Sequence, residues 1–171
     1  MHKLLLCTAA LALAFGAVVA FRAPAARSGA EPDSTILRAI RTYRKTTWRY
    51  DSVMGRPLAH AHAQTLVALR DAWRTRAAHT RELFVAGPTH RRQWLCIHHY
   101  EGSWTDGGAP YYGGLQMDLT FQRHYGSFLL RRKGTAEHWT PLEQMWIAEK
   151  AYRSGRGFYP WPNTARYCGL I

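Results

Sequence analysis

The segment CIHHYEGSW, residues 96–104, holds one carboxylate, Glu101, set between Tyr100 and Trp104. The chain has 11 acidic residues against 23 lysines and arginines, so each acid is a scarce resource. Apolar neighbours desolvate a carboxylate and favour its neutral form. That form can protonate a leaving glycosidic oxygen. Gly102 follows at once and lets Glu101 face a groove. The competing expectation is a surface residue, or an acceptor for a nearby backbone N–H.

Aromatic residues gather in the loops around this acid. Trp104, Tyr111, Tyr112, Phe158, Tyr159 and Trp161 could stack on sugar rings, or form the rim of a small core. Gly107, Gly108, Gly113 and Gly114 let the backbone approach hydroxyl and acetamido groups. Gln116 can reach back with an amide. The 9 histidines raise the question of a metal. His60 with His62, and His98 and His99 with Glu101, are the candidates. Neighbouring histidines on a helix point apart, and neither an HExxH run nor paired Cys/His spacing occurs. No metal, no cofactor and no phosphate-cradling glycine loop is expected.

Helices must position these groups. Leu37, Ile40 and Trp48 recur at helical spacing over 34–50, and Leu66, Leu69, Trp73 and Ala77 over about 62–84. Gly55 and Pro57 separate the two stretches. This pair is expected to form a helical hairpin or spacer over residues 31–88, with its arginines as a solvated rim. Gly87–Pro88 is the strongest break in the chain and is taken as a domain boundary. Trp94, Ile97, His98 and Glu101 share the face of a helix ending near Glu101. Met117, Phe121 and Tyr125 predict a short helix closed by Gly126. Thr140, Pro141 and Glu143 spell an N-cap, an N1 proline and a capping box, and Gly155 stops that helix. The remainder is expected as an irregular aromatic tail. The fold class is mainly α.

Residues 1–30 are expected to be an export segment. His2 and Lys3 precede an apolar run over 4–21, followed by small residues. The run reads as a cleaved signal peptide or a retained membrane anchor, with a buried core helix as a third reading. Export makes a Cys96–Cys168 disulfide the default over two free thiols. The formal net charge of +12 favours polyanions, whether nucleic acid, anionic lipid or an acidic wall polymer. Basic runs such as LLRRKG, 129–134, are usually solvated helix ends, and an export segment argues against a DNA partner. No nucleic-acid partner is expected.

The segments EGSW, 101–104, and YYGGLQM, 111–117, resemble the transglycosylase-like domain of resuscitation-promoting factors, within the lysozyme-like superfamily. Glu143, Gln144, Ala148, Glu149, Gly157, Trp161 and Pro162 look like that family's closing segment. The resemblance covers about residues 92–168. Two departures stand out. Cys96 lies well before Glu101 instead of beside it, and Gly102–Ser103 reverses the family's Ser–Gly order.

The resemblance implies a small lysozyme-like domain over 89–171 that cleaves the bond between N-acetylmuramic acid and N-acetylglucosamine in peptidoglycan. It implies Glu101 as the acid, with Trp104, Tyr111, Tyr112, Gly114, Gln116 and Trp161 lining the groove. Asp106 and Asp118 are the only carboxylates near enough in sequence to be a second acid, and Asp118 more simply caps a helix. A two-carboxylate glycosidase needs a nucleophile or base beside its acid. One glutamate alone suits a lytic transglycosylase. The expected place of work is the cell wall, for a secreted or membrane-anchored protein. The alternative is a wall-binding module without turnover. Hydrolysis and anhydro-ring formation are both left open.

Overall fold

The computed structural model describes residues 32–171. Seven α-helices dominate these residues, and a single two-stranded sheet accompanies them. The helices are α1 (Asp33–Met54), α2 (Leu66–Ala86), α3 (Arg91–Glu101), α4 (Leu119–Tyr125), α5 (Ser127–Lys133), α6 (Pro141–Ala151) and α7 (Pro162–Tyr167). Strands β1 (Tyr111–Tyr112) and β2 (Met117–Asp118) pair antiparallel, with Tyr111 opposite Asp118.

α1 and α2 pack against each other, but not as the expected up-and-down hairpin. The start of α2, at Leu66 and Leu69, clusters with Ile36 and Ile40 at the start of α1. The end of α2, at Phe84, meets Tyr50 near the end of α1, with ring centroids 4.7 Å apart. The helices therefore run in the same direction. The connection between them returns along α1. Trp48 Nε1 donates to the Ala59 carbonyl at 2.8 Å, and Ala59 N–H donates to Asp51 Oδ2 at 3.2 Å. The lengths permit this. α1 is 22 residues long, about 33 Å of helix, which an extended eleven-residue connection just spans.

Gly87–Pro88, expected as a domain boundary, ends a helix without dividing the packing. The described residues, 32–171, lie in one compact unit. Val53, Met54 and Phe84 share a core cluster with Trp94, Ile97, Met145 and Trp161. Trp146 Nε1 donates to the Phe84 carbonyl at 3.0 Å across the break.

α6 is the spine of this core. Its start carries the predicted capping box, in which Thr140 Oγ1 accepts from Glu143 N–H and Glu143 Oε2 accepts from Thr140 N–H. α6 ends at Ala151, before the expected stop at Gly155, and Gly155, with φ 94°, breaks the wider turn over Tyr152–Arg156 from within. Burying so many of its residues includes polar ones, and each has partners. Glu149 accepts from Trp94 Nε1 at 2.9 Å and lies 3.1 Å from His90 Nδ1. Gln144 Nε2 donates to the Trp104 and Ala136 carbonyls at 2.8 and 2.9 Å. Glu143 pairs with Lys133 at 2.6 Å and Arg49 at 3.3 Å, joining α5, α6 and α1. Burial works to raise the Glu143 pKa, but the Lys133 ammonium and the Thr140 N–H and hydroxyl outweigh it and hold the carboxyl below its ordinary value. Lys150, on the same helix, is pushed below the usual lysine value by burial and by Arg153. Its Nζ donates to the Tyr125 carbonyl at 2.5 Å.

The tail is more ordered than expected. Pro162 at the first position starts α7, because its fixed φ suits a helix start and its missing N–H is not needed there. Cys96 on α3 and Cys168 just after α7 form a disulfide. The bridge ties the end of α7 to α3, and Trp161 Nε1, just before α7, donates to the Leu115 carbonyl in the turn between β1 and β2 at 2.6 Å.

Candidate functional site

Glu101 is the last residue of α3 and is half-buried. Its Oε1 accepts a 2.8 Å hydrogen bond from Thr164 Oγ1 on α7. Thr164 is buried, and the Trp161 carbonyl is a longer alternative acceptor for the same hydroxyl at 3.4 Å. The aromatics flanking Glu101 in sequence turn elsewhere. Tyr100 is 52% exposed and pairs with Tyr167. Trp104 stacks on His98 with ring centroids 3.8 Å apart. The local expectation of a carboxylate sandwiched by its sequence neighbours is thus replaced by walls from distant segments.

Those walls are Tyr111, Gln116, Pro160, Trp161, Pro162 and Asn163, around a cavity of about 210 Å³ that contains Glu101. A second cavity, of about 440 Å³, shares Tyr111, Gln116, Pro160 and Trp161 with the first and extends to His124 and Arg156. The two form one open groove. Glu101 lines only the smaller cavity, and His124 and Arg156 line only the larger. Tyr111 is exposed and offers a ring face for stacking, whereas Trp161 is only 5% exposed and serves as floor. Trp161 is held there by Trp94 and Phe121.

Gln116 lines both cavities with a left-handed φ of 46°, uncommon for a residue with a side chain, at the end of the turn between β1 and β2. Its Nε2 donates to Asp106 Oδ2 at 2.9 Å and to the Gly113 carbonyl at 3.0 Å. Asp106 Oδ1 accepts from Gly108 N–H at 3.0 Å. Asp106 is therefore a brace for the loop and for Gln116. Asp118 caps α4 through Phe121 N–H at 2.7 Å and also lines the larger cavity.

The sequence-predicted site residues divide into two sets. Glu101, Tyr111, Gln116 and Trp161 meet in the groove. Trp104, Tyr112 and Gly114 line neither cavity. Trp104 and Tyr112 pack on the core. Gly114 is buried where a Cβ would lie 2.6 Å from His98 Nδ1 and 2.7 Å from the Trp104 ring, so glycine permits a close approach. Its carbonyl lies 3.0 Å from His98 Nδ1. Phe158 is buried in the core and Tyr159 is exposed. Among the described residues, no group of three or more His, Cys, Asp or Glu side chains is gathered to hold a metal ion. Sequence reasoning missed Thr164, Asn163, Pro160, His124 and Arg156. The Pro160 and Pro162 pair flanking Trp161 was the available signal for the first cavity wall.

What these observations define is a small, mainly helical unit with an aromatic-walled groove lined by two carboxylates, Glu101 and the helix-capping Asp118. Compared with protein-family models, curated proteins and solved structures, the chain matches none.

Proposed function

We propose that the chain is a peptidoglycan-cleaving enzyme of the lysozyme-like kind, acting on the bond between N-acetylmuramic acid and N-acetylglucosamine with Glu101 as its single catalytic acid. The observation that carries this reading is the shared cavity of Glu101, Tyr111, Gln116 and Trp161, with Thr164 fixing the carboxylate. A saccharide ring can stack on Tyr111. The two Asp106 oxygens are occupied by Gln116 and Gly108, and Asp118 Oδ1 caps α4, so the reading gives Glu101 both halves of the reaction.

In the first half, the Glu101 carboxylic acid gives its proton to the glycosidic oxygen. The bond from that oxygen to C1 of the muramoyl unit breaks, and the glucosamine unit leaves as an alcohol. In the second half, the Glu101 carboxylate takes the proton of the muramoyl 6-hydroxyl. That oxygen bonds to C1, closes an anhydro ring and restores the neutral acid. A water in place of the 6-hydroxyl would give a reducing end instead.

An extracytoplasmic site of action belongs to the same proposal. A Cys96–Cys168 bridge suits an oxidising compartment. The apolar run 4–21, expected as signal or anchor, lies outside the described residues. No helix among the described residues is long and apolar enough to cross a membrane.

The test uses labelled, insoluble peptidoglycan. The wild type should solubilise label, while Glu101→Gln should sediment with the wall and release none. If wild type and variant both bind and neither releases label, the chain is a wall-binding module and the enzyme reading falls.

A further inference from the structure

α1 and α5 bring together two basic runs that lie far apart in the sequence. Adjoining cavities of about 370 and 490 Å³ lie between them and share Lys45, Arg49, Phe128 and Arg132. Arg41 and Arg44 add to the larger cavity and Lys133 to the smaller. No acidic side chain lines either one. Glu143 pairs with both Arg49 and Lys133. Arg41, Arg44, Lys45 and Arg132 are exposed, and no carboxylate pairs with them among the described residues. Unneutralised cations around a concave surface make a positive potential suited to phosphate oxygens.

The aromatics narrow the choice of partner. The Arg44 guanidinium covers the Trp48 ring at 5.0 Å, and Arg132 covers Phe128 at 4.7 Å. These ring faces are occupied by the protein's own side chains and are not open platforms for nucleobases, which single-strand binders use. The margin of the patch is aliphatic instead. Leu58 is 44% exposed in the larger cavity, and Leu37 is 42% exposed one helical turn before Arg41. Leu37, Arg41, Arg44 and Trp48 fall on one stripe of α1. Cations, a tryptophan and exposed leucines on one face match the headgroup region of an anionic bilayer.

We infer that the α1–α5 face docks on the anionic surface of a lipid bilayer, with headgroup phosphates against Arg41, Arg44, Lys45 and Arg132. This site is separate from the Glu101 groove and does not depend on what that groove does.

The test is sedimentation of the full chain with phosphatidylcholine vesicles, with and without phosphatidylglycerol, at low and high salt. Two triple variants remove equal charge: Arg41→Gln/Arg44→Gln/Arg132→Gln on the patch, and Arg76→Gln/Arg81→Gln/Arg92→Gln elsewhere. The apolar run is common to all three proteins and cancels. The wild type should prefer phosphatidylglycerol by about tenfold or more, and salt should erase the preference. The patch variant should lose it and the other variant keep it. Equal losses would reduce the effect to net charge and overturn the site. So would patch substitutions that weaken binding to duplex DNA but leave vesicle binding intact. Hydrogen exchange of the wild type gives a reading that no variant's folding can spoil. Phosphatidylglycerol vesicles should protect α1 and α5, and protection confined to other helices would contradict the inference.

Discussion

Thr164 Oγ1 donates a 2.8 Å hydrogen bond to Glu101 Oε1, tying the end of α3 to α7. The buried hydroxyl fixes where the carboxylate points. An ordinary hydrogen bond contributes about 0.5–1.5 kcal/mol net. Thr164→Val keeps the side-chain shape and removes the donor, so turnover should fall roughly two- to tenfold. Thr164→Ser should restore most of it. Wall cleavage rates of the three proteins, with thermal melts to check folding, decide the point. Unchanged turnover in Thr164→Val would mean that the hydroxyl does not position the acid.

Arg156 lines the larger cavity, which Glu101 does not reach, on a turn shaped by Gly155 at φ 94° and Gly157 at φ 55°. A cation there suits a carboxylate carried by the substrate. Such a contact is made equally in the ground and transition states, so its loss acts on KM. Arg156→Ala should raise KM several-fold with kcat little changed. A fall in kcat at constant KM would show that Arg156 acts on the chemistry instead.

The Cys96–Cys168 bridge closes a loop with a sequence separation of 72. In the chain-entropy account a loop of that length contributes about 4 kcal/mol. Because α7 also carries Thr164, loosening it should disturb the acid as well. Cys96→Ala/Cys168→Ala should lower stability by about 4 kcal/mol and reduce turnover. Denaturant unfolding and wall cleavage, each with and without reductant on the wild type, test both parts.

Glu143 should make stability depend on pH. Burial works against its charge, but Lys133 and Thr140 hold its pKa below the ordinary glutamate value of 4.5. A depressed carboxyl stabilises the fold fully above its unfolded value and loses that contribution as pH falls through the folded value. Arg49 and Lys133 are partly exposed, at 48% and 29%, which tempers the cost of breaking the pair. Glu143→Gln should destabilise by about 2 kcal/mol at neutral pH. The gap between variant and wild type should close below pH 4.5. Denaturant midpoints measured across that range should converge at the acid end.

What could be read from the sequence follows from how local each signal is. The helix over 141–151 was legible because Thr140, Pro141 and Glu143 act within one turn. Glu101, Tyr111, Gln116 and Trp161 were legible as site candidates because charge, ring and amide chemistry are properties of the residue itself. Trp104 and Tyr112 carry the same chemistry but face inward, and only the His98 stack and the core decide that. Thr164 and Arg156 have no local mark, since their role comes from α7 and the turn after α6 reaching the groove. The parallel course of α1 and α2 was hidden as well. It depends on Trp48 and Asp51 drawing Ala59 back along α1, a tertiary event with no periodicity.

The most direct measurement is mass spectrometry of the soluble products from purified peptidoglycan, wild type beside Glu101→Gln. The account predicts muropeptides ending in an anhydro ring, one water lighter than reducing-end fragments, from the wild type alone. Reducing ends from the wild type alone would keep Glu101 as the acid and replace the 6-hydroxyl with water. Fragments released equally by Glu101→Gln would contradict the central claim.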